Sequence, residues 1–282
     1  MLEVVNGRTH HYHADATILS GHLRLPLVHE ISSQARGTLP EEGGYISQRS
    51  EDFRLEGVLS FRSAYTQVAG NRSTKPGQGW TTLSTTAVEG LNVLDVLTAD
   101  RIVGQIITEH PLEGYVPSIN FLGTRFENLR IAGHPVALDL DLNILGSKPA
   151  NDASYAQESG VASRIKSQCA SALESDGLPL ELRERYNRLI STLGSSEAVE
   201  CSIVNRATGG YPGRSFGHVI DIPDFGKIAF GRVTVTHEDP KPGTETPRKT
   251  TVRLTMVDLH LGCAIDGEVP IGSGSTNGGT MP

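Results

Sequence analysis

Val136-Ala137-Leu138-Asp139-Leu140-Asp141-Leu142-Asn143-Ile144 alternates strictly, with Val136, Leu138, Leu140, Leu142 and Ile144 on one side and Ala137, Asp139, Asp141 and Asn143 on the other. Successive side chains of a strand point to opposite faces. The stretch therefore predicts a strand with one apolar and one wet face, as an antiparallel sheet resting on a core requires. Working outward, residues 9 to about 146 are rich in Thr, Val, Ile, Leu and Gly in short runs, divided by turn punctuation at Gly43-Gly44, Gly70-Asn71, Pro76-Gly77 and Gly123. Phe53 to Val68 reads as extended. Leu91 to Ile107 reads as two strands turning near Ala99-Asp100, because β-branched density and Gly104 outweigh a helical stripe through Val96, Ala99, Val103 and Ile107.

Residues 151–194 break this pattern. A capping box over Ser154 to Gln157 precedes Val161, Ile165, Cys169 and Leu173, one apolar residue per helical turn, and Gly177 is placed to end that helix. Pro179 starts a second helix, whose stripe of Leu182, Tyr186, Leu189, Ile190 and Leu193 stops at Gly194. Strand character returns at Val199, Cys201 and Ile203, and again from Phe216 to Ile222. Ile228 and Phe230 are out of phase with Val233 and Val235, which predicts a bulge near Gly231. Val252, Leu254 and Met256 are likewise out of phase with Val257, Leu259 and Leu261. Residues 272–282 are mostly Gly, Ser, Thr and Asn, and are expected as a flexible tail or a strand that orders only on a partner. The expected fold is mainly β: an antiparallel sandwich or distorted barrel formed by residues 1–150 and 195–271, with a two-helix hairpin inserted at 151–194 and a tail at 272–282.

The 25 Lys and Arg residues against 32 Asp and Glu give a net charge of −7, the wrong sign for a chain that grips phosphate backbones, so no nucleic-acid partner is expected. The start at Met1 to Asn6 lacks the basic and apolar regions of a secretory leader. Leu91 to Ile107, the most apolar stretch, is interrupted by Asn92, Asp95, Asp100 and Arg101, so no membrane span is expected. A cytoplasmic protein follows, or one exported without a recognisable signal. Cys169, Cys201 and Cys263 cannot all pair within one chain and have no CxxC spacing, so reduced, partly buried thiols are expected. Asn71-Arg72-Ser73 spells a glycosylation acceptor, a chance match without an export signal.

The candidate metal ligands are His11, His13 and Asp15. His11 and His13 share one side of a strand, and His13-Ala14-Asp15 is the His-x-Asp half of a facial iron triad. The third ligand must come from His218, His237 or His260; Asp239, two residues after His237, is expected in a turn before Pro240. Solvated histidines near a chain end are the simpler reading. Gly213-Arg214-Ser215-Phe216-Gly217 spells a nucleophile elbow, but a loop precedes Ser215 and a strand follows it, the reverse of what the elbow needs. Asp139, Asp141 and Asn143 suggest a hard cation, yet a strand points them outward in a row. Ser163-Arg164-Ile165-Lys166 lacks the accompanying elements of a penicillin-binding enzyme, and Gly272-Ser273-Gly274-Ser275 has no helix after it to receive phosphate. Trp80, read as lying on a loop, is the candidate ligand-binding aromatic, with Phe61-Arg62 and Tyr65 as lesser stacking platforms. A faint echo links residues 105–111 with 233–240, two strand ends closed by a His-containing turn before proline.

These residues point to a noncatalytic binding or assembly protein without a cofactor, whose sheet edges and tail meet a second copy or a protein partner. The alternatives are a metal-dependent β-barrel enzyme using iron or zinc at His11, His13 and Asp15, and a carbohydrate-binding module with Trp80 at its site.

Overall fold

The computed structural model describes residues 4–5, 7–25, 28–55, 57–194, 198–239, 248–262 and 265–281. Strict alternation produces a strand over His134–Leu140, with Val136, Leu138 and Leu140 half-buried and Ala137 and Asp139 exposed. Leu142 and Ile144 lie beyond it in a turn, where Ile144 is buried by a different route.

In chain order the first strands are β1 (Val4–Val5), β2 (Arg8–His11), β3 (Ala14–Leu25), β4 (His29–Gln34), β5 (Gly37–Thr38), β6 (Gly44–Leu55), β7 (Leu59–Arg72), β8 (Gln78–Val93) and β9 (Leu97–Pro111). The short β10 (Ser118–Asn120), β11 (Arg125–Glu127) and β12 (Arg130–Ile131) and then β13 (His134–Leu140) follow. Helices α1 (Ser159–Leu173) and α2 (Leu180–Thr192) come next. The chain finishes with β14 (Ala198–Ser202), β15 (Val204–Gly209), β16 (Arg214–Phe216), β17 (Val219–Ile222), β18 (Gly226–Glu238), β19 (Arg248–Gly262), β20 (Asp266–Thr276) and β21 (Gly279–Met281).

Among the described residues these strands form two antiparallel sheets and no closed barrel. One runs β1-β2-β21-β19-β18-β17-β16, with β14 on β18, and with β20 joining β19 to β3, which carries β4 and β5. The other runs β15-β13-β12-β9-β8-β7-β6, with β10 and β11 on β9. They face each other as a sandwich, β3 against β7 and β8 and β20 against β8 and β9. One flank is stitched by Ala207 N–H donating to the Gly217 carbonyl at 3.1 Å. The inserted helices pack beside it, where Tyr186 OH donates to the Phe216 carbonyl at 3.0 Å. On the opposite flank the sheets end separately, on β4 and on β6.

The phase change expected at Gly231 belongs to a row crossing the whole sheet. Phe230, Val257, Ile271 and Leu19 are in register, and beyond them the ladders skip Gly231, Met256, Gly272 and Ile18. Gly231 (φ +58°) and Gly272 (φ +65°) supply the left-handed backbone on alternate strands. The second sheet repeats the device, skipping Asp52, Arg62, Gly90 and Asp100, with Asp52 (φ +50°) and Gly90 (φ +66°) left-handed. To one side of these rows the interior is purely apolar, with Phe61, Leu91, Leu97, Phe230, Leu259 and Ile271 buried. To the other side Thr66, Thr82, Ser84, Thr86, Thr108 and Thr276 are buried among the aliphatic residues.

Four expectations are corrected. The segment 272–282, expected as a flexible tail, forms the end of β20 and β21 as far as Met281, inside the first sheet. Its glycines bury no side chain, but they let the sheets approach: a Cβ at Gly274 would stand 2.7 Å from Ser84 Oγ. The β8–β9 turn falls at Leu94-Asp95, not Ala99-Asp100, because both residues adopt left-handed backbone (φ 53° and 55°) and Asn92 Oδ1 accepts from Asp95 N–H at 2.9 Å. Gly70-Asn71 lies within β7, whereas Gly57 (φ +72°) turns the chain between β6 and β7. Ser154 caps nothing with its side chain; a 3₁₀ turn over Tyr155–Gln157 intervenes, and α1 starts at Ser159.

Candidate functional site

Alternation through Tyr12, Ala14, Ala16 and Ile18, all buried, assigns His10 to the inner face and His11 and His13 to the outer one. The outer pair does not share a centre, because regular pairing stops between β2 and β3 and the chain is re-aimed there. His11 Nδ1 lies 3.5 Å from Glu41 Oε2. His13 Nε2 lies 2.9 Å from Asp15 Oδ2, while Asp15 Oδ1 accepts from the Thr38 hydroxyl at 2.7 Å. The His13 hydrogen bond is the first reason the Asp15 carboxyl sits below its ordinary value; burial opposes it and Thr38 assists. Of the distant histidines, His218 is buried beside Tyr186, His237 contacts Thr250 Oγ1 at 3.0 Å, and His260 is near Asp258 on the surface. His237 belongs to β18 and only Asp239 lies past its end. Among the described residues no three His, Cys, Asp or Glu side chains gather in a way that holds a metal. The proposed iron or zinc set of His11, His13 and Asp15 therefore divides into two surface contacts.

Trp80 is on β8 and fully buried, which corrects its placement on a loop and closes its faces to a sugar. Its ring stacks on His10, with centroids 4.9 Å apart and planes at 10°. Tyr12 meets His10 edge-on at 4.7 Å and His110 lies 4.6 Å away. Thr280 Oγ1 is 3.1 Å from His10 Nδ1. Gly278 makes room: a Cβ there would stand 2.7 Å from His10 Nε2 and 3.2 Å from His110 Nε2. Burial pushes the His10 imidazole down to about 2, with His110 and His11 adding to it, and burial alone pushes His110 down to about 3. Both rings are buried and held as neutral imidazoles near pH 7. They join the sheets. His10 was legible from parity, and His110 from the echo, which marks the ends of the central strands β9 and β18.

The remaining motifs are absorbed by backbone. Ser215 Oγ donates to the Ala207 carbonyl at 2.8 Å from within the β16–β17 hairpin, and no helix follows it. Ser163 and Lys166 lie on α1, and Asp139 ends up facing α1 rather than a cation loop. Cys169 and Cys201 are free and buried; burial pushes the first thiol up to about 11 and the second further. Cys263 lies outside the described residues. Among the described residues no helix is long and apolar enough to cross a membrane.

The most open element is β6. Among the described residues it pairs with β7 alone, and most of its residues are exposed, Tyr45 by 61%. On the outer face of its sheet, Tyr45 continues a row through Ala69, Leu83 and Ile107, which are in register across four strands. The C-terminal half of β6 differs: Arg49 and Glu51 form an exposed ion pair at 2.8 Å, and Asp52 kinks the edge. Charge and a kink are how natural edges resist pairing. The unguarded part is residues 44–48.

One family model, described as Domain of unknown function (DUF8256), matches residues 10–236. No curated protein and no solved structure matches the chain.

Proposed function

The chain belongs to this DUF8256 family, and we propose that it is a noncatalytic binding or assembly module which takes up a partner strand, from a second copy or another protein, along the first half of β6. The observation that carries this reading is a long edge with one paired side, an exposed outer face at Tyr45, and uncharged residues from Gly44 to Gln48, with Ile46 turned inward against the core. A strand laid there gains main-chain hydrogen bonds, while the row of Tyr45, Ala69, Leu83 and Ile107 selects the side chains it meets. The dispersal of His11, His13 and Asp15 and the engagement of Ser215 by backbone support a role without chemistry.

Sedimentation velocity over a wide concentration range tests it, together with hydrogen exchange of the β6 amides. Wild type is expected to self-associate, or to gain β6 protection with a strand peptide derived from its own edge. The variant Tyr45→Lys/Ser47→Lys is expected to lose both with an unchanged melting temperature. A strictly monomeric chain whose β6 amides exchange freely under every condition overturns the reading.

A further inference from the structure

The inserted hairpin creates a second concavity, independent of the β6 edge. It has a volume of about 280 Å³ between α1 and the β13–β15 pair, and Asp139, Asp141, Arg164, Gln168, Asn205 and Arg206 are among its lining. We propose that this cleft binds a small zwitterion of the free α-amino acid class, its ammonium between Asp139 and Asp141 and its carboxylate at Arg164 and Arg206.

The cleft holds charges of both signs that do not pair with one another. Asp139 and Arg206 are direct cross-strand partners, yet among the described residues Asp139 Oδ2 accepts from Asn205 Nδ2, at 3.4 Å, and not from Arg206. No ion pair within 4 Å joins either aspartate to either arginine among the described residues. Opposite charges sharing one cleft pair with one another unless they are held apart, and backbone holds one of each sign here, Asp141 and Arg164. Asp141 Oδ1 accepts from Asn143 N–H at 3.0 Å, and Asp141 N–H donates to the Ile203 carbonyl at 2.8 Å. Arg164 Nε donates to the Ile144 carbonyl at 2.7 Å, and its Nη2 occupies the space that a Cβ at Gly146 (φ +64°) would enter, 2.3 Å away. Gly146 thus admits the guanidinium. The register shift between Asp139 and Leu140 leaves Asn205 as the extra residue of β15, and its side-chain amide reaches Asp139 in the cleft, as bulges beside binding sites do.

The floor is rigid. Gln168, buried on α1, donates from Nε2 to the Ser202 carbonyl at 2.9 Å and accepts at Oε1 from Ser202 N–H at 3.0 Å. With Asp141 and Arg164 anchored and Asp139 and Arg206 adding a second charge of each sign, the cleft selects a ligand carrying both charges. A bare cation faces two guanidiniums and a simple anion faces two carboxylates, so each is disfavoured by the wall it does not satisfy. The volume lies at the small end of ligand pockets, roughly 300 Å³ and upward, which suits an amino acid rather than a nucleotide.

Amide chemical-shift titration of the full chain with L-alanine, L-serine and L-glutamine tests this, with acetate, methylammonium and calcium chloride as controls. Saturable shifts at residues 139–146 and 164–168 are expected with at least one amino acid, and at least tenfold weaker effects from acetate or methylammonium. Asp141→Asn and Arg164→Gln should each weaken binding tenfold or more. Asp139→Asn, at an exposed carboxylate, is expected to weaken it with the fold intact should either of those variants misfold. The surface variant Arg125→Gln should bind as wild type does. Absence of saturable shifts with all three amino acids, equal binding of acetate alone, or calcium reproducing the shifts overturns the proposal.

Discussion

The imidazole of His10, on the first sheet, lies flat against the indole of Trp80, on the second, with ring centroids 4.9 Å apart. This stack brings both aromatic faces out of water. Trp80 is the sole tryptophan, so its fluorescence reports the seam directly. Native emission should be blue-shifted and unaffected by iodide, and should redden only on unfolding. Soluble glycans should leave it unchanged; a glycan-dependent shift would restore the sugar-binding reading.

Acid should loosen the fold. Burial pushes His10 down to about 2, and His110 and His218 each to about 3, against 6.5 when exposed. Above pH 6.5 both folded and unfolded chains carry neutral rings, so these groups leave stability independent of pH. Below it the unfolded chain takes up protons that the folded one refuses until near pH 3. Stability should then fall by about 1.4 kcal/mol per group, at most about 4 kcal/mol in all, for each pH unit. Urea midpoints at pH 8, 7, 6 and 5 check this. A curve flat to pH 5 would show that these rings are not held neutral.

Met256 fills the space above Gly104 on the opposite sheet, where a Cβ would come within 2.6 Å of Met256 Cγ and 2.9 Å of Thr86 Oγ1. Gly104→Ala should destabilise by about 1–3 kcal/mol through overpacking. Met256→Ala alone should cost about 2–5 kcal/mol. The double variant should cost less than the sum by about 1 kcal/mol or more, since the new methyl enters the space vacated. Strict additivity in denaturant melts would refute the contact.

Ending the chain at residue 265 removes β20, which lies between β19 and β3, and severs the β3-β4-β5 group from the rest of the first sheet. Loss of cooperative thermal unfolding is expected. Ending it at residue 276 keeps β20 and loses the Thr280 contact to His10, so a lower but still cooperative melting temperature is expected. An unchanged transition for the 265-residue chain would return the segment to the status of a tail.

In a Cys263→Ser background, Cys169 and Cys201 should ignore Ellman's reagent at pH 8 and react fully in guanidinium. Both are buried, and burial favours the thiol over the nucleophilic thiolate. Rapid native labelling would contradict that burial.

What sequence reading missed shares one cause. It weighs apolar side chains, whereas 272–281 contributes through backbone and Leu94-Asp95 through left-handed backbone and a polar side-chain contact from Asn92. Gly274 contributes by having nothing to bury, and the turn rests on left-handed backbone at Leu94 and Asp95, with the Asn92 side-chain oxygen accepting from the Asp95 N–H. The β6 edge was expected only as an unspecified sheet edge, since nothing in Gly44 to Leu55 tells how many neighbours a strand has.

Alternation and helical periodicity, being properties of neighbours in the chain, were enough by themselves to establish a β sandwich or barrel with a helical hairpin between its halves, and to place a bulge at Gly231. They also put His11 and His13 on one side of a strand, which leaves His10 on the other. Only the tertiary structure decided that the sheets stay open along β6, that His10 meets Trp80 and His110, and that Asp139 and Asp141 face Arg164. Those relations join residues as many as 100 positions apart, and local pattern carries no information about which distant strand comes to lie opposite.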